Sequence, residues 1–586
     1  MGHWGREVAL RHILSRRRTL STTTKKHVVR NAQDEGGYQS FGSFHSENVE
    51  ELMGLPAQRY VAPDLPFIDD CHVEPATSST PVHPREERAP VPFVNSRRHA
   101  MSFPRLDREN WTFLNHGAFG LGLEVGLRRA ESWRKFAETQ PLRYFDRHLL
   151  NHVVHGARGM VNFVTRNEDD AAWIREGTAM IQNVTSGMNA IIGGHHRQAH
   201  SRGGRQGGGS VFYYDITYGS NKKICKHHHG RSGDAIEIAF EEDYLPLLRT
   251  ISTLTGVSSS LGTDNRKNDI MGNWDDDSAG LFISALDSTI NKYVRDGSGK
   301  SSISGSLLIL DHITSNTAIR FPISSIAKYA KEEYGMTIVV DGAHALWSLP
   351  LDVGALVSAA GRTGIDHRCG YIDAYLTNCH KWFSSPRGAA VLFCADPEIR
   401  DTLLDRPAIV SHGVDDGFLS RFMWDGCRDY SAQLALPAVL DYWNAIDLVA
   451  AREEVRTNLR EGIRILRSHW HPHVDESCLY DDGGRNSAEA GLTLVPLGMH
   501  VPTMALVRLP DRISGGVWRV KSSNEGSDRK TSTDAKKVQD YLYGCGIEVP
   551  VKCVRGVLYA RVSCHLYNSA DEFDLLGRVA LKYATA

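Results

Sequence analysis

Four short stretches of this chain carry side chains whose types and spacing could do chemistry together. The run VVDGAH at 339–344 delivers an acid, Asp341, and a histidine, His344, at the end of an apolar segment. Alone, Asp341 reads equally well as a helix cap. Open α/β sheets bind ligands beyond the carboxyl ends of their strands, however, which makes it a candidate ligand-facing carboxylate. Forty residues on, LTNCHKW at 376–382 closes a second apolar run with Asn378, His380 and Lys381. A lysine at the end of a buried strand is costly unless paired or covalently modified. One whose ammonium is destabilised by its surroundings is suited to Schiff-base chemistry; a stem that snorkels to solvent is the plainer alternative. In QNVTSGMN at 182–189, Thr185 and Ser186 open an apolar-periodic helix. That makes either an anion site for a phosphate or an ordinary helix cap. Finally, VLYARVSCHLYN at 557–568 places Arg561 on a strand read as alternating. Its guanidinium could clamp a substrate carboxylate or sit in a structural salt bridge.

The elements that must position these groups are legible as short apolar runs. Strands are predicted at 306–311, 336–341, 372–378 and 389–394, with a helix over 323–333 stopped by Gly335. Continuous apolar runs of this length suit strands buried on both faces of a parallel sheet, and strand–helix–strand order gives an α/β layer architecture. Ordered patterning begins near Phe103. Polar stretches at 202–209, 262–277, 481–486 and 514–532 read as surface-loop expansions. The histidines at 195–196 and 227–229 lack spaced partner ligands, so no metal is expected.

In this order and spacing, the four stretches resemble the class V aminotransferases, fold-type I enzymes that use pyridoxal 5′-phosphate (PLP). FLNHGAFG at 113–120, DHITSNTA at 311–318, EVPV at 548–551 and CRD at 427–429 look like the branch containing isopenicillin-N epimerases and hercynylcysteine sulfoxide lyases. The resemblance implies a large domain with a mostly parallel sheet flanked by helices, over 101–405. A smaller α+β C-terminal domain would follow over 406–586, with the N-terminal segment of the body packing on it. It implies that Lys381 carries the cofactor as a Schiff base, that Asp341 pairs with its pyridine nitrogen, and that His344 bonds the ring 3-oxygen. Thr185, Ser186, Asn378 and His380 would hold the phosphate, and Tyr218 would stack on the ring as a further catalytic residue. Arg561 would clamp the substrate α-carboxylate, with Asn115 and His116 lining the entrance. Cys427 stands where many members carry a threonine that reaches the neighbouring subunit's phosphate; a thiol is a weaker donor. A homodimer is nonetheless implied, with 426–428 as the cross-subunit loop.

The expected reaction begins with carbanion formation at Cα of an amino acid or derivative, leading to C–S cleavage or epimerisation. Cysteine desulfuration, transamination and a non-catalytic scaffold of the same fold are the alternatives. Composition excludes other classes. Among 586 residues, 67 basic and 69 acidic side chains leave a net charge of −2, with 41% hydrophobic and 23% charged residues. Neither nucleic-acid binding nor membrane association is expected. Ten cysteines without paired spacing fit a reducing compartment. Residues 1–30 are Arg-rich, hydroxyl-rich and almost acid-free, as in mitochondrial or plastid transit peptides, with a cytoplasmic location as the alternative. Residues 31–100 read as linker, so 1–100 forms a disordered leader in this reading.

Overall fold

The computed structural model describes residues 47–67, 102–201, 209–230, 234–248, 272–295, 303–357, 370–476, 491–496, 501–515 and 529–583. The basic leader at 1–30 lies outside them, as do most of the linker and most of the polar loop expansions.

Along the chain, β1 (Thr112–Phe113) precedes the seven strands of one sheet. These are β2 (Thr178–Ile181), β3 (Val211–Tyr214), β4 (Ala235–Ile238), β5 (Leu307–Asp311), β6 (Thr337–Asp341), β7 (Ala374–Asn378) and β8 (Ala390–Phe393). Later come β9 (Met504–Arg508), β10 (Ile547–Glu548), β11 (Val551–Val554) and β12 (Val557–Ser563). The large sheet has the order β2-β8-β7-β6-β5-β3-β4. Strands β3 to β7 pair in parallel with their neighbours, whereas β8 runs antiparallel to both β2 and β7. The run at 389–394 therefore belongs to a buried strand that is not parallel; burial on both faces leaves no alternation to reveal direction.

The helix Ile323–Tyr334 links β5 to β6 and ends at Gly335, whose φ of 63° lets its N–H cap the carbonyls of Ala330 and Lys331. Crossovers of this kind bring the strands' carboxyl ends to one edge of the sheet. There Asp311 and Asp341 lie directly opposite in register, and Lys381 follows three residues after β7. The helix Val184–Ser201 packs on the sheet so closely that a side-chain carbon at Gly187 would come 2.3 Å from Leu376.

The second sheet is antiparallel, ordered β11-β12-β9, and sets Arg561 opposite Leu506. Strand β12, central in this sheet, is buried throughout rather than alternating. β1 pairs in parallel with β10, and Leu114, just after it, accepts from Ser563 N at 2.9 Å and donates to Glu548 O at 3.0 Å. The segment carrying Asn115 and His116 is thereby stitched to two C-terminal strands. Among the described residues, no single helix is long and apolar enough to cross a membrane.

One part of the expected linker is built into the body. The helix Glu47–Gly54 buries Val49 and Met53 against the helix Leu150–Val164. Arg158 donates to the carbonyls of Leu52 at 2.9 Å and Met53 at 2.7 Å, and its guanidinium lies 4.0 Å from the Tyr60 ring centroid. Glu50 accepts from the backbone N–H groups of Leu419 and Ser420, at the start of another short helix. A single apolar triplet, Val49, Leu52 and Met53, is too short to stand out from the polar chain around it, so the anchor is invisible without its docking surface. Met53→Ala is expected to destabilise the fold by about 2–5 kcal/mol. Urea unfolding should show a lower midpoint at unchanged slope; an unchanged midpoint would mean that the helix is not part of the cooperative unit.

Candidate functional site

The site is assembled around the Lys381 side chain, which is 8% exposed. Its Nζ lies 2.9 Å from His344 Nε2. The other ring nitrogen, Nδ1, accepts from the Trp382 indole N–H at 3.3 Å. A ring that accepts at Nδ1 carries its proton on Nε2, and burial holds His344 neutral by pushing its pKa well below the usual value. The Nε2–H then needs an acceptor, and an amine lone pair is one whereas an ammonium is not. Burial likewise pushes the Lys381 pKa down to about 8, with Asp341 opposing this and Arg561 adding to it. Geometry and electrostatics both favour a neutral, nucleophilic amine.

Behind the lysine stands an aromatic wall. His116 is fully buried, accepting from the Tyr567 hydroxyl at Nδ1 (2.9 Å) and donating from Nε2 to the Lys381 carbonyl (3.1 Å). It packs against Trp382 and His565, with ring centroids at 5.0 and 4.4 Å. His116 therefore does not line an entrance; it holds the main chain of Lys381. Gly120, at φ 67°, passes so close that a side-chain carbon there would lie 1.9 Å from the His380 carbonyl oxygen. Ser384, also left-handed at φ 58°, closes the turn with an N–H to the Lys381 carbonyl at 2.9 Å.

Asp341 is buried, accepting from Asn221 Nδ2 at 2.7 Å and from Ala343 N at 2.9 Å. Its neighbour Asp311 accepts from Tyr218 N at 3.2 Å, and burial together with the charge of Asp341 raises its pKa. Two buried carboxylates side by side cannot both ionise cheaply, and Asp311 is the one that tends to keep its proton. Neither Asn221 nor Asp311 had been assigned a role from sequence. The available signal was that two successive parallel strands, 306–311 and 336–341, both end in aspartate.

Tyr218 caps the helix Gly219–His229, is 41% exposed, and has its ring centroid 6.0 Å from Lys381 Nζ. At the start of the helix Val184–Ser201, Ser186 N donates to Asn183 Oδ1 at 2.9 Å. Asn378 Oδ1 accepts from Val184 N at 3.1 Å, which ties the end of β7 to this helix start. Thr185 lies in the same first turn. His380 Nδ1 is buried with no partner among the described residues. An unpaired ring nitrogen beside a helix N-terminus suits an anionic oxygen.

Arg561 is buried between the Ser315 carbonyl and Asn115 Oδ1, the latter at 2.9 Å from Nη2. Asn115 in turn donates to Glu548 Oε1 at 2.8 Å. The guanidinium has no carboxylate of its own, its Nε is unsatisfied among the described residues, and burial lowers its pKa to about 10. Such a cation fits a carboxylate ligand better than a structural salt bridge. Cys427 is exposed beside Arg428, which pairs with Asp425 at 2.5 Å. The rings of His195, His196, His228 and His229 pack on one another, with His229 held neutral by burial.

The chain is similar in sequence and in fold to known proteins. The chain is 24% identical over 474 residues to "Putative L-cysteine desulfhydrase 2" of Oryza sativa subsp. japonica, covering 79% of this chain and 82% of that one. It is 27% identical over 313 residues to an L-cysteine desulfhydrase of Arabidopsis thaliana, covering 50% and 58%. Isopenicillin N epimerase of Streptomyces clavuligerus is 26% identical over 176 residues, covering 27% and 40%. No family model matches. Among solved structures, the cystine C–S lyase C-DES with its product cysteine persulfide superposes with a TM-score of 0.51 at 15% identity, covering 82% of this chain and 99% of that chain. C-DES with glycine linked covalently to its PLP cofactor gives 0.52 at 16%, covering 82% and 98%. The sequence likeness is thus to L-cysteine desulfhydrases and an epimerase, and the structural likeness shows the type I fold of PLP enzymes.

The state of Lys381 makes a pH prediction. The amine is protonated and inert well below its depressed pKa and neutral above it. Capture of added PLP should accelerate as pH rises to about 8 and level off beyond. Trp382→Phe lets the His344 proton move to Nδ1, so that Nε2 accepts from an ammonium and stabilises it. The midpoint should move upward, as followed by visible absorbance across a pH series; a variant midpoint at or below the wild-type one contradicts the tautomer assignment.

Proposed function

We propose that this chain is a PLP-dependent C–S lyase that cleaves cysteine or an S-substituted cysteine by α,β-elimination, releasing the sulfur fragment, pyruvate and ammonia. The observation that carries the reading is a buried Lys381 amine set between a carboxylate, Asp341, and an arginine without a carboxylate partner, Arg561.

PLP, when bound, supplies an electron sink for negative charge developing at the substrate Cα. Everything else is work for the protein's own side chains. Asp341, fixed by Asn221 and the Ala343 N–H, would hold the proton of the cofactor's ring nitrogen. Thr185, Ser186, Asn378 and the unsatisfied His380 Nδ1 would receive its phosphate, and the exposed face of Tyr218 would cover its ring. Arg561 would hold the substrate α-carboxylate, its plane set by Asn115 and the Ser315 carbonyl. Lys381 Nζ would take the proton from Cα and, in elimination, return one to the departing sulfur.

Desulfuration needs an acceptor thiol with thiolate character. Cys553, on the edge strand β11, instead donates to the Lys530 carbonyl, and burial raises its pKa; Cys379, beside the site in sequence, is raised likewise. This favours elimination. The exposed 426–428 loop and the family pattern support a homodimer, testable by light scattering of the cofactor-loaded protein. The composition of the leader supports import into a plastid or mitochondrion.

The test is product analysis with L-cysteine. Elimination gives sulfide, pyruvate and ammonia in equal amounts; alanine with protein-bound persulfide would sink the reading in favour of desulfuration. Loss of optical activity without pyruvate would favour epimerisation. Asp341→Asn should keep its fold by circular dichroism while losing about 10²–10³ in rate, the usual worth of one preorganised electrostatic group. Activity within a few-fold of wild type would make the acid structural.

A further inference from the structure

Next to Arg561 lies a second cation that nothing described so far uses. A cavity of about 420 Å³ opens between the segment around Tyr218, the turn after β5 and the edge strand β11. Thr217 and Gly219, which flank Tyr218, line it, as do Asn316 and Thr317, which follow the Ser315 carbonyl bound by Arg561. Lys552 lines the opposite wall. On β11, Lys552 pairs with Tyr559, two residues before Arg561 on β12, so Lys552 and Arg561 project from the same face of the sheet. Diagonal neighbours of this kind stand about 7–8 Å apart at their bases.

Lys552 is half-buried and has no hydrogen bond or ion pair among the described residues. Burial and the nearby Arg561 push its pKa down to about 8. The cavity does contain carboxylates, but they are already engaged. Asp215 accepts from the N–H groups of Phe240 and Glu241, Glu241 accepts from Arg555 N, and Lys222 pairs with Glu237. None of them acts on Lys552. An ammonium kept half out of water, beside another cation and with no carboxylate in hydrogen-bond or ion-pair contact among the described residues, costs stability unless a ligand supplies that contact.

We propose that this cavity is the subsite for the substrate's side chain, and that Lys552 binds a second, distal anionic group. The enzyme would then act on amino acids whose sulfur carries an acidic tail. The inference rests on the C–S lyase reading for the reaction but not for the recognition. With Arg561 on the α-carboxylate, the tail reaches Lys552 across the cavity, and the C–S bond lies between two fixed ends. Discrimination would come from a charge that a neutral tail leaves unmatched.

The test uses the cofactor-loaded protein and pairs of ligands alike in shape. S-carboxymethyl-L-cysteine and S-carbamoylmethyl-L-cysteine differ only in acid against amide. L-2-aminoadipate and its side-chain amide are the carbon counterparts, with no C–S bond to break. Calorimetric binding of the carbon pair reads recognition alone, and pyruvate release from the sulfur pair reads the reaction. The acid should bind about tenfold or more tightly than the amide in the wild type. Lys552→Met should bring that ratio close to one, and Lys552→Arg should restore most of it. Binding preference without pyruvate release would uphold the subsite while sinking the lyase reading. Equal affinity for acid and amide in the wild type, a wild-type ratio in Lys552→Met, or no binding of either carbon ligand overturns the subsite.

Discussion

The structure turns on keeping one amine uncharged. A lysine buried at the carboxyl end of a sheet would ordinarily be an expense, and the surrounding residues convert it into a reagent. The decisive contact is the His344–Lys381 pair, in which a histidine proton is aimed at the amine by an indole on its far side. Trp382, His344 and Lys381 form a relay that specifies a protonation state rather than merely a position. His116 and the turn at Ser384 fix the lysine main chain from behind, so the amine cannot escape the relay by moving.

Charge around that amine is arranged in two opposed groups. Asp311 and Asp341 end neighbouring strands on one side, where burial and their mutual repulsion raise the pKa of Asp311. Arg561 stands on the other side, with Lys552 on the same sheet face. A mostly parallel sheet supplies the acids and an antiparallel sheet supplies the cations. The cleft between them is polarised before any ligand arrives, which is the condition for electrostatic catalysis.

Much of this was legible in the sequence, for physical reasons that also mark its limits. Strands β5, β6, β7 and β8 and the helix before β6 were readable because buried strands are uninterrupted apolar runs and Gly335 punctuates the helix. Strands β2, β3 and β4 are four residues each and offered too little pattern. Lys381, Asp341 and Arg561 could be picked out because their charges are costly to bury, whereas Tyr218, half in solvent, was reached only through the family resemblance. His116 sits beside Asn115 in the sequence, yet one holds a main chain and the other an arginine; side-by-side residues in a turn point apart, and only packing decides. Asn221 and Asp311 act through Asp341, and an amide or second acid that works through a neighbour has no local signature.

The stitching of residues 112–116 to the C-terminal strands governs when the site can exist at all. His116 contacts a lysine 265 positions later and a tyrosine 451 positions later, while Asn115 reaches an arginine 446 positions on. The contacts with Tyr567 and Arg561 cannot form on a ribosome until nearly the whole body has emerged, and each closes a long loop whose entropy must be paid first. A nascent chain that already carries Asn115, His116 and Lys381 therefore still lacks the arginine and the tyrosine that complete their contacts, and the site stays open until the C-terminal strand has docked on the segment at 112–116.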